Sequence, residues 1–367
     1  MAYGTVNADV IGTSVAGSNI GAGNASIMKN RIINGAMVID QRNAGASVTV
    51  NNGSSNFFIA DRWFANGENS DGVYTGQQVT TAPTGFNNSL KFTVTTADTS
   101  IGATQAYVFR QRIEGYNFAD LGWGTANAKT ITISFWVQSS LTGNFGGSLF
   151  NGNGDRAYAF SFSISSANTW EQKTITIAGD TTGTWNTTNG TGLNLVFSLG
   201  AGSTYKGTAG VWGSTLYFAP TGSIDLIGTN GATFYITGVQ LEVGSSATGY
   251  EYRQYGQELA LCQRYWQQSY TAGTVAGAAT QVGAADLLPG TSGIGTMGCF
   301  SYFRTEMRTI PTITLYDLAG ASGKVYKGGN GKTGVLQNQS TTGFTGYTTD
   351  STAAAEFLYQ WTATAEL

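Results

Sequence analysis

The sequence predicts an all-β protein: a jelly-roll β-sandwich followed by a smaller C-terminal β-sandwich domain, joined by one short connector helix. Three observations lead there. The 367 residues include 52 Gly and only 4 Pro, with Thr, Ser and Asn abundant, which is the composition of many tight turns. Aromatic residues make up 12% of the chain and favour pleated, half-buried surfaces. Strand-like runs recur at turn-limited spacing from about residue 56 to 244.

Taken in order, residues 1–30 are rich in Gly, Ala, Asn and Ser, and their apolar residues are scattered. Such a stretch cannot bury enough surface to order itself, so it reads as an anchoring segment that lies against another protein. The sandwich is expected over 31–250. The apolar runs Ile32–Ile33, Met37–Ile39 and Phe57–Ile59 read as short strands, followed by Ser89–Thr95, Ala106–Ile113, Thr130–Val137, Ala157–Ile164, Glu171–Ile177, Gly192–Leu199, Thr215–Phe218 and Phe234–Val243. Gly238 interrupts the last of these and reads as a bulge. Residues 251–267 follow as the connector helix, with Leu259, Cys262 and Trp266 on one apolar stripe at i, i+3 and i+7. That stripe must be covered by the adjoining domain or by the same helix in two other chains. Arg253, Glu258 and Arg264 read as its polar face. Residues 268–367 form the tip domain, with strands expected at 298–308, 312–317, 324–327, 334–338 and 354–363.

Composition excludes several kinds of chemistry. With no histidine, Ser–His–Asp and Cys–His catalysis are impossible, and the commonest metal ligand is missing. Cys262 and Cys299 cannot build a zinc site alone; they read as buried free thiols, with a disulfide left open. A net charge of −3 without a Lys/Arg block gives no nucleic-acid surface. No run approaches the length of a membrane span, and the start MAYGTVNADVIG has no secretion-signal pattern, so assembly in a cytoplasm is expected. GGNGKTG (328–334) lacks the first glycine of a phosphate loop, since that position is Tyr326, and reads as a glycine-rich hairpin. NGNGD (151–155) offers only one charged calcium ligand and reads as a turn. The carboxylates a glycosidase would need, among Asp61, Glu114, Asp120, Asp155, Glu171, Asp180 and Asp225, carry no distinguishing motif. No catalytic residue, cofactor or metal ligand is therefore assigned.

The eight tryptophans hold more information. Trp123, Trp185 and Trp212 lie among glycines and read as loop residues. Indole faces there could stack on sugar rings while nearby Asn, Thr and Tyr bond the hydroxyls. The competing reading is that they cap the sandwich or face another subunit. Trp63, Trp136 and Trp170 lie in or beside strands and read as core. Arg110, Arg112 and Glu114 alternate along FRQRIEG and share one strand face, which suits a cross-strand charge network or a subunit contact.

Several stretches carry a resemblance: NRIINGAMVIDQRNAG (30–45), ADRWFANG (60–67), ITISFWVQSS (131–140), the run from Asn168 to Tyr205, TFYITGVQLEVGSSATGYEYRQYGQELALCQRYW (233–266), MRTIPTITLYD (307–317) and EFLYQWTATAEL (356–367). Together they resemble bacteriophage virion proteins of the tail-fibre or neck-appendage type. TWEQKTITI and ITGVQLEVG are also similar to jelly-roll carbohydrate-binding modules. The resemblance implies a structural, non-enzymatic role and a homotrimer located on the virion. It also implies attachment through residues 1–30 to tail, neck or capsid proteins, and a distal domain facing host glycans. A trimeric capsid decoration (cement) protein and a polysaccharide depolymerase are the alternative expectations.

Overall fold

The computed structural model describes residues 28–287, 297–352 and 356–367. The expected anchor, residues 1–30, lies outside the described residues except for Met28–Asn30. Two sheets form the larger sandwich. One has the strand order Val48–Val50, Val73–Val79, Ser89–Thr96, Thr233–Val243, Ile131–Ser139, Glu171–Ile177. The other runs Trp212–Gly213, Ala157–Ile164, Gly143–Phe150, Thr191–Ala201, Ala106–Glu114, Trp63–Glu68, Gly53–Ala60. The chain crosses repeatedly between the sheets, and every pairing within them is antiparallel, as a jelly roll requires.

Alternation along each strand decides what the sheets enclose. Ile131, Ile133, Phe135 and Val137 point inward from one sheet, and Tyr107, Phe109 and Ile113 from the other. Phe109 sits near the middle, stacked on Phe92 at 4.3 Å and on Phe197 at 5.2 Å between ring centroids. Such pairs add about 0.5–1.5 kcal/mol beyond the area they bury. Gly238 is the expected bulge. The register shifts between Thr237 and Gln240, φ is +61°, and a Cβ there would lie 2.5 Å from the Phe86 ring.

Some expected elements differ. Ile32–Ile33 and Met37–Ile39 are buried but form no strand. Asn34 and Met37 both adopt φ +57°, which breaks extension. The backbone amides here bond side chains instead: Ile32 N–H to Asn30, Ile33 N–H to Gln111, Ile39 N–H to Asn34 and Asn34 N–H to Glu258. The Thr215–Phe218 strand is absent; residues 203–220 form an excursion with only two-residue strands at Lys206–Gly207, Trp212–Gly213 and Ala219–Pro220, and its Phe218 packs on Val108, Phe150 and Val196 over the outside of the second sheet. Conversely Gly143–Phe150 is a strand that its glycines hide. A Cβ on Gly147 would lie 2.0 Å from the Val196 carbonyl oxygen.

The connector helix spans Tyr255–Gln263 and stops before Trp266, which opens the strand Trp266–Gln268. The stripe therefore does not run to Trp266. Cys262 and its partner Leu259 are covered within the chain, by Ile33, Val38, Ile39, Tyr265 and Leu367. Arg253, Glu258 and Arg264 are not a solvent-facing set either. Arg253 donates to the carbonyls of Asn30 and Ile32, and Glu258 is buried against Asn34. Arg264 makes a bidentate pair with Glu114 at 2.7 and 2.9 Å, and Tyr265 Oη donates to the same carboxylate at 2.6 Å.

The smaller sandwich centres on the strand Phe357–Thr364, which pairs with Trp266–Gln268, Ala285–Leu287, Thr312–Tyr316 and Lys324–Lys327. A three-stranded sheet of Met297–Tyr302, Gly343–Thr348 and Val335–Gln337 completes it around Phe303, Phe344, Tyr359 and Trp361. The 328–334 glycine run is the expected hairpin: Lys327 pairs with Asn330, and Gly328 and Gly329 take φ +57° and +87°.

Charged groups fill the seam between the sandwiches. Glu366 pairs with Arg42 and Arg62, and Arg62 also lies 3.6 Å over the Tyr265 ring. Arg112 donates to the Leu367 carbonyl, and Arg308 to the carbonyls of Ala365 and Glu366. Asp61 lies beside this group, 3.6 Å from Arg42.

Burial lifts the Asp61 carboxyl from 3.8 to about 7, against the opposing pull of Arg42 and the Gln41 amide. Its proton therefore favours the folded state. That contribution is complete below pH 3.8 and is lost as pH rises through about 7. Asp61→Asn should flatten the thermal midpoint across this window; an unchanged pH profile would refute it. In the seam, Arg264→Met leaves Glu114 buried and should cost about 3 kcal/mol in urea unfolding. Adding Glu114→Gln should restore part of that loss.

Candidate functional site

The structure brings Trp123, Trp185 and Trp212 together at one end of the larger sandwich. Their rings meet edge to face, with centroids 4.9 Å apart for Trp123–Trp185, 5.2 Å for Trp123–Trp212 and 5.6 Å for Trp185–Trp212. Each indole N–H donates to a backbone carbonyl: Trp123 to Lys129, Trp185 to Thr182 and Trp212 to Ala178. Glycine makes the approach feasible, since a Cβ on Gly179 would lie 2.6 Å from Trp123 Nε1. Trp123 and Trp185 are only 5% and 7% exposed, and Phe118 packs against both. Their faces are occupied by one another, so they form a cap on the core rather than a platform for a sugar. Only Trp212 is partly exposed, and Tyr158 lies 5.1 Å from it.

An open aromatic face lies elsewhere, on the outside of the first sheet. Alternation in ITISFWVQS sends Thr132, Ser134, Trp136 and Gln138 outward. Tyr235 pairs in register with Gln138 on one side and Lys91 on the other, and Trp136 pairs with Thr237 and with Gln172. Trp170, just before Glu171, meets Tyr235 at 6.1 Å, and Lys91 Nζ lies 5.7 Å from the Tyr235 ring. Trp136, Trp170 and Tyr235 are all partly exposed. Trp136 and Trp170 are thus not core residues, and only Trp63 of the three is fully buried. The strand's period of two carries this signal in the sequence, because inward Phe135 and Val137 fix Trp136 outward.

Polar groups on this face have unused bonding capacity. Gln138 donates to the Asn168 carbonyl at 2.6 Å, but its Oε1 has no partner, nor has Thr237 Oγ1 beside Trp136. The other half of the sheet is covered. Gln240 and Glu242 are buried under residues 248–251, which they hydrogen-bond. Phe86, Tyr250 and Tyr252 form an aromatic rim there, with Tyr252 Oη donating to the Gly85 carbonyl at 2.9 Å.

The carboxylates considered for hydrolysis all have structural partners: Asp61 and Glu114 in the seam, Asp120 with Arg31, Asp180 with Arg156, Glu171 with Lys173 and Asp225 with Lys206. The Glu171 carboxyl is held down to about 2, chiefly by Lys173. Asp155 closes the 151–155 turn with Asn151, whose Oδ1 accepts from the Asp155 and Arg156 amides. Cys262 and Cys299 are free thiols, and burial raises both. No helix among the described residues is long and apolar enough to cross a membrane.

No protein-family model matches the chain, and no curated protein matches it. Among solved structures it is similar to the enzymatically active domain of bacteriophage CBA120 tailspike protein 4, at 13% identity and TM-score 0.31 over 59% of this chain. The match spans only 21% of that tailspike chain. It is also similar to a family 11 carbohydrate-binding module from Clostridium thermocellum in complex with a mixed-linked tetrasaccharide, at 11% identity and TM-score 0.28, covering 55% of this chain and 98% of the module. A family 61 module in complex with beta-1,4-galactotriose matches at 10% identity and TM-score 0.27, covering 50% of this chain and 88% of that one. These likenesses are weak, and the site rests on the geometry above.

The two tryptophan sets should separate by stability. Trp185→Ala opens the buried cap and should cost about 3–5 kcal/mol by denaturant unfolding. Trp136→Ala removes a surface ring and should change stability by about 0.5 kcal/mol or less. Equal losses would contradict this division.

Proposed function

We propose that the protein is a non-enzymatic carbohydrate-binding component of a bacteriophage particle, of the tail-fibre type, and that the outer face of the first sheet is its glycan platform. One observation carries the binding reading: Trp136, Trp170 and Tyr235 stand partly exposed together on one sheet face. Gln138 and Thr237 beside them have buried side-chain oxygens without a hydrogen-bond partner. Aromatic faces suit the C–H patches of a pyranose, and the Gln138 amide beside them suits its hydroxyl groups. A rigid sheet holds these groups in place without further ordering on binding.

The placement on a virion is supported by the sequence resemblance of the 30–45, 60–67 and 233–266 stretches. Homotrimeric assembly, with residues 1–30 as the attachment to other virion proteins, belongs to the same reading. The non-catalytic role is supported by the structural partners held by each candidate carboxylate.

Affinity electrophoresis against a panel of neutral host polysaccharides tests the platform. Retardation by at least one is expected, with at least a tenfold weaker interaction for Trp136→Ala at unchanged thermal midpoint. The same mixtures should release no reducing ends. Retardation that survives both Trp136→Ala and Tyr235→Ala would refute the site, and released reducing ends would refute the non-catalytic role.

A further inference from the structure

The outside of the second sheet carries a different constellation. Arg110 and Arg112 project outward from the strand Ala106–Glu114, next to Asn194, which is in register with Arg112 on the neighbouring strand. With Phe150, Asn153 and Leu216 they line a cavity of about 260 Å³. A second cavity of about 280 Å³ shares Asn153 with it, so the two form one groove along the 151–154 loop.

Cations dominate its electrostatics, with Glu68 and Glu366 attracting the arginines without a salt bridge. Arg110 is buried, and its Nε donates to Asn66 Oδ1 at 3.1 Å. Both guanidiniums lie over the Phe64 ring, at 5.1 and 4.8 Å. Arg112 donates to the Leu367 carbonyl. Among the described residues neither forms an ion pair with a carboxylate, although ten other Lys and Arg residues do. Burial and mutual repulsion hold Arg110 down to about 10, which remains cationic at neutral pH. Asn194 is 2% exposed, and its Oδ1 has no hydrogen-bond partner. Two cations with no direct carboxylate partner, one of them buried, and a buried unpartnered acceptor are costly unless a ligand completes them.

We propose that this groove binds a carboxylated sugar, a hexuronate unit of an acidic polysaccharide, at a site separate from the aromatic platform. The guanidiniums would take the carboxylate, whose planar geometry matches their fork. Asn194 Oδ1 would accept a ring hydroxyl, and Phe150 and Leu216 would cover the ring's apolar edge. The adjoining cavity leaves room for a neighbouring sugar beside Asn153. The combination of charge and hydroxyl recognition points to an acidic sugar rather than a bare anion.

Titration calorimetry of the full chain with a hexuronate disaccharide tests this. The same disaccharide as its methyl ester, and inorganic sulfate, serve as comparison ligands. Binding of the free acid is expected, at least tenfold weaker for the ester and for sulfate. Arg110→Gln should weaken the acid at least tenfold. Asn153→Trp, on an exposed loop, should block the groove with the fold intact. Trp136→Ala should leave acid binding unchanged, so failure of the platform and failure of this groove are told apart. No binding of the acid, equal binding of ester or sulfate, or retention of affinity in Asn153→Trp would overturn the proposal.

Discussion

The Glu114 carboxylate is the point on which the arrangement of the whole molecule depends. It ends a central strand of the larger sandwich, is almost fully buried, and receives three hydrogen bonds from Arg264 and Tyr265. Burial alone would raise its titration, but those bonds outweigh it and hold the carboxyl below its ordinary value. The connector helix is thereby fixed to the sandwich at its exit, and the smaller sandwich starts from a defined position at Trp266. Around this pair lie Arg42, Arg62, Arg112 and Arg308. With Arg264 they make five of the chain's 18 Lys and Arg residues committed to one seam. A chain so poor in charge uses it where two β units must keep one orientation. Each of these groups is harmful if its partner is removed, which makes the seam specific as well as strong.

Much of the fold was legible in the sequence because period-two alternation reports directly on which face is buried. Ser89–Thr96, Ile131–Ser139 and Glu171–Ile177 all show it. The misses have physical causes. Gly143–Phe150 lacks side chains at Gly146 and Gly147 because neighbouring backbone and rings occupy that space, and a glycine-rich strand leaves little pattern. The 31–39 segment is apolar like a strand, yet its amides are bonded by side chains, two of which, Gln111 and Glu258, come from distant positions that no local pattern encodes.

The site was less legible, for a related reason. Glycine neighbours marked Trp123, Trp185 and Trp212 as loop residues, but loops here fold inward and meet as a cap. Strand context alone reads Trp136 as core, although its immediate neighbours Phe135 and Val137 place it outside. The arginine pair was visible as an alternation, but the cavity above it depends on the 203–220 loop, whose position is a tertiary fact. The two outer faces of one sandwich thus differ in character: one aromatic, with Glu242 buried under residues 248–251 and Lys91 on the open part, the other cationic and partly roofed.

The separation in sequence of the seam's partners bears on how the molecule comes into being. Arg62 and Glu366 are 304 residues apart, and Arg112 and Leu367 are 255 apart. During synthesis the strands of the larger sandwich are complete once residue 243 has emerged, while the arginines at its edge still lack their carboxylate. Vectorial folding would therefore leave a nearly finished sandwich with an open cationic rim, and the closing strand Phe357–Thr364 would bring Glu366 onto it last. The distance of these contacts along the chain places that closure after the larger sandwich, so the seam follows the order in which the two halves are made.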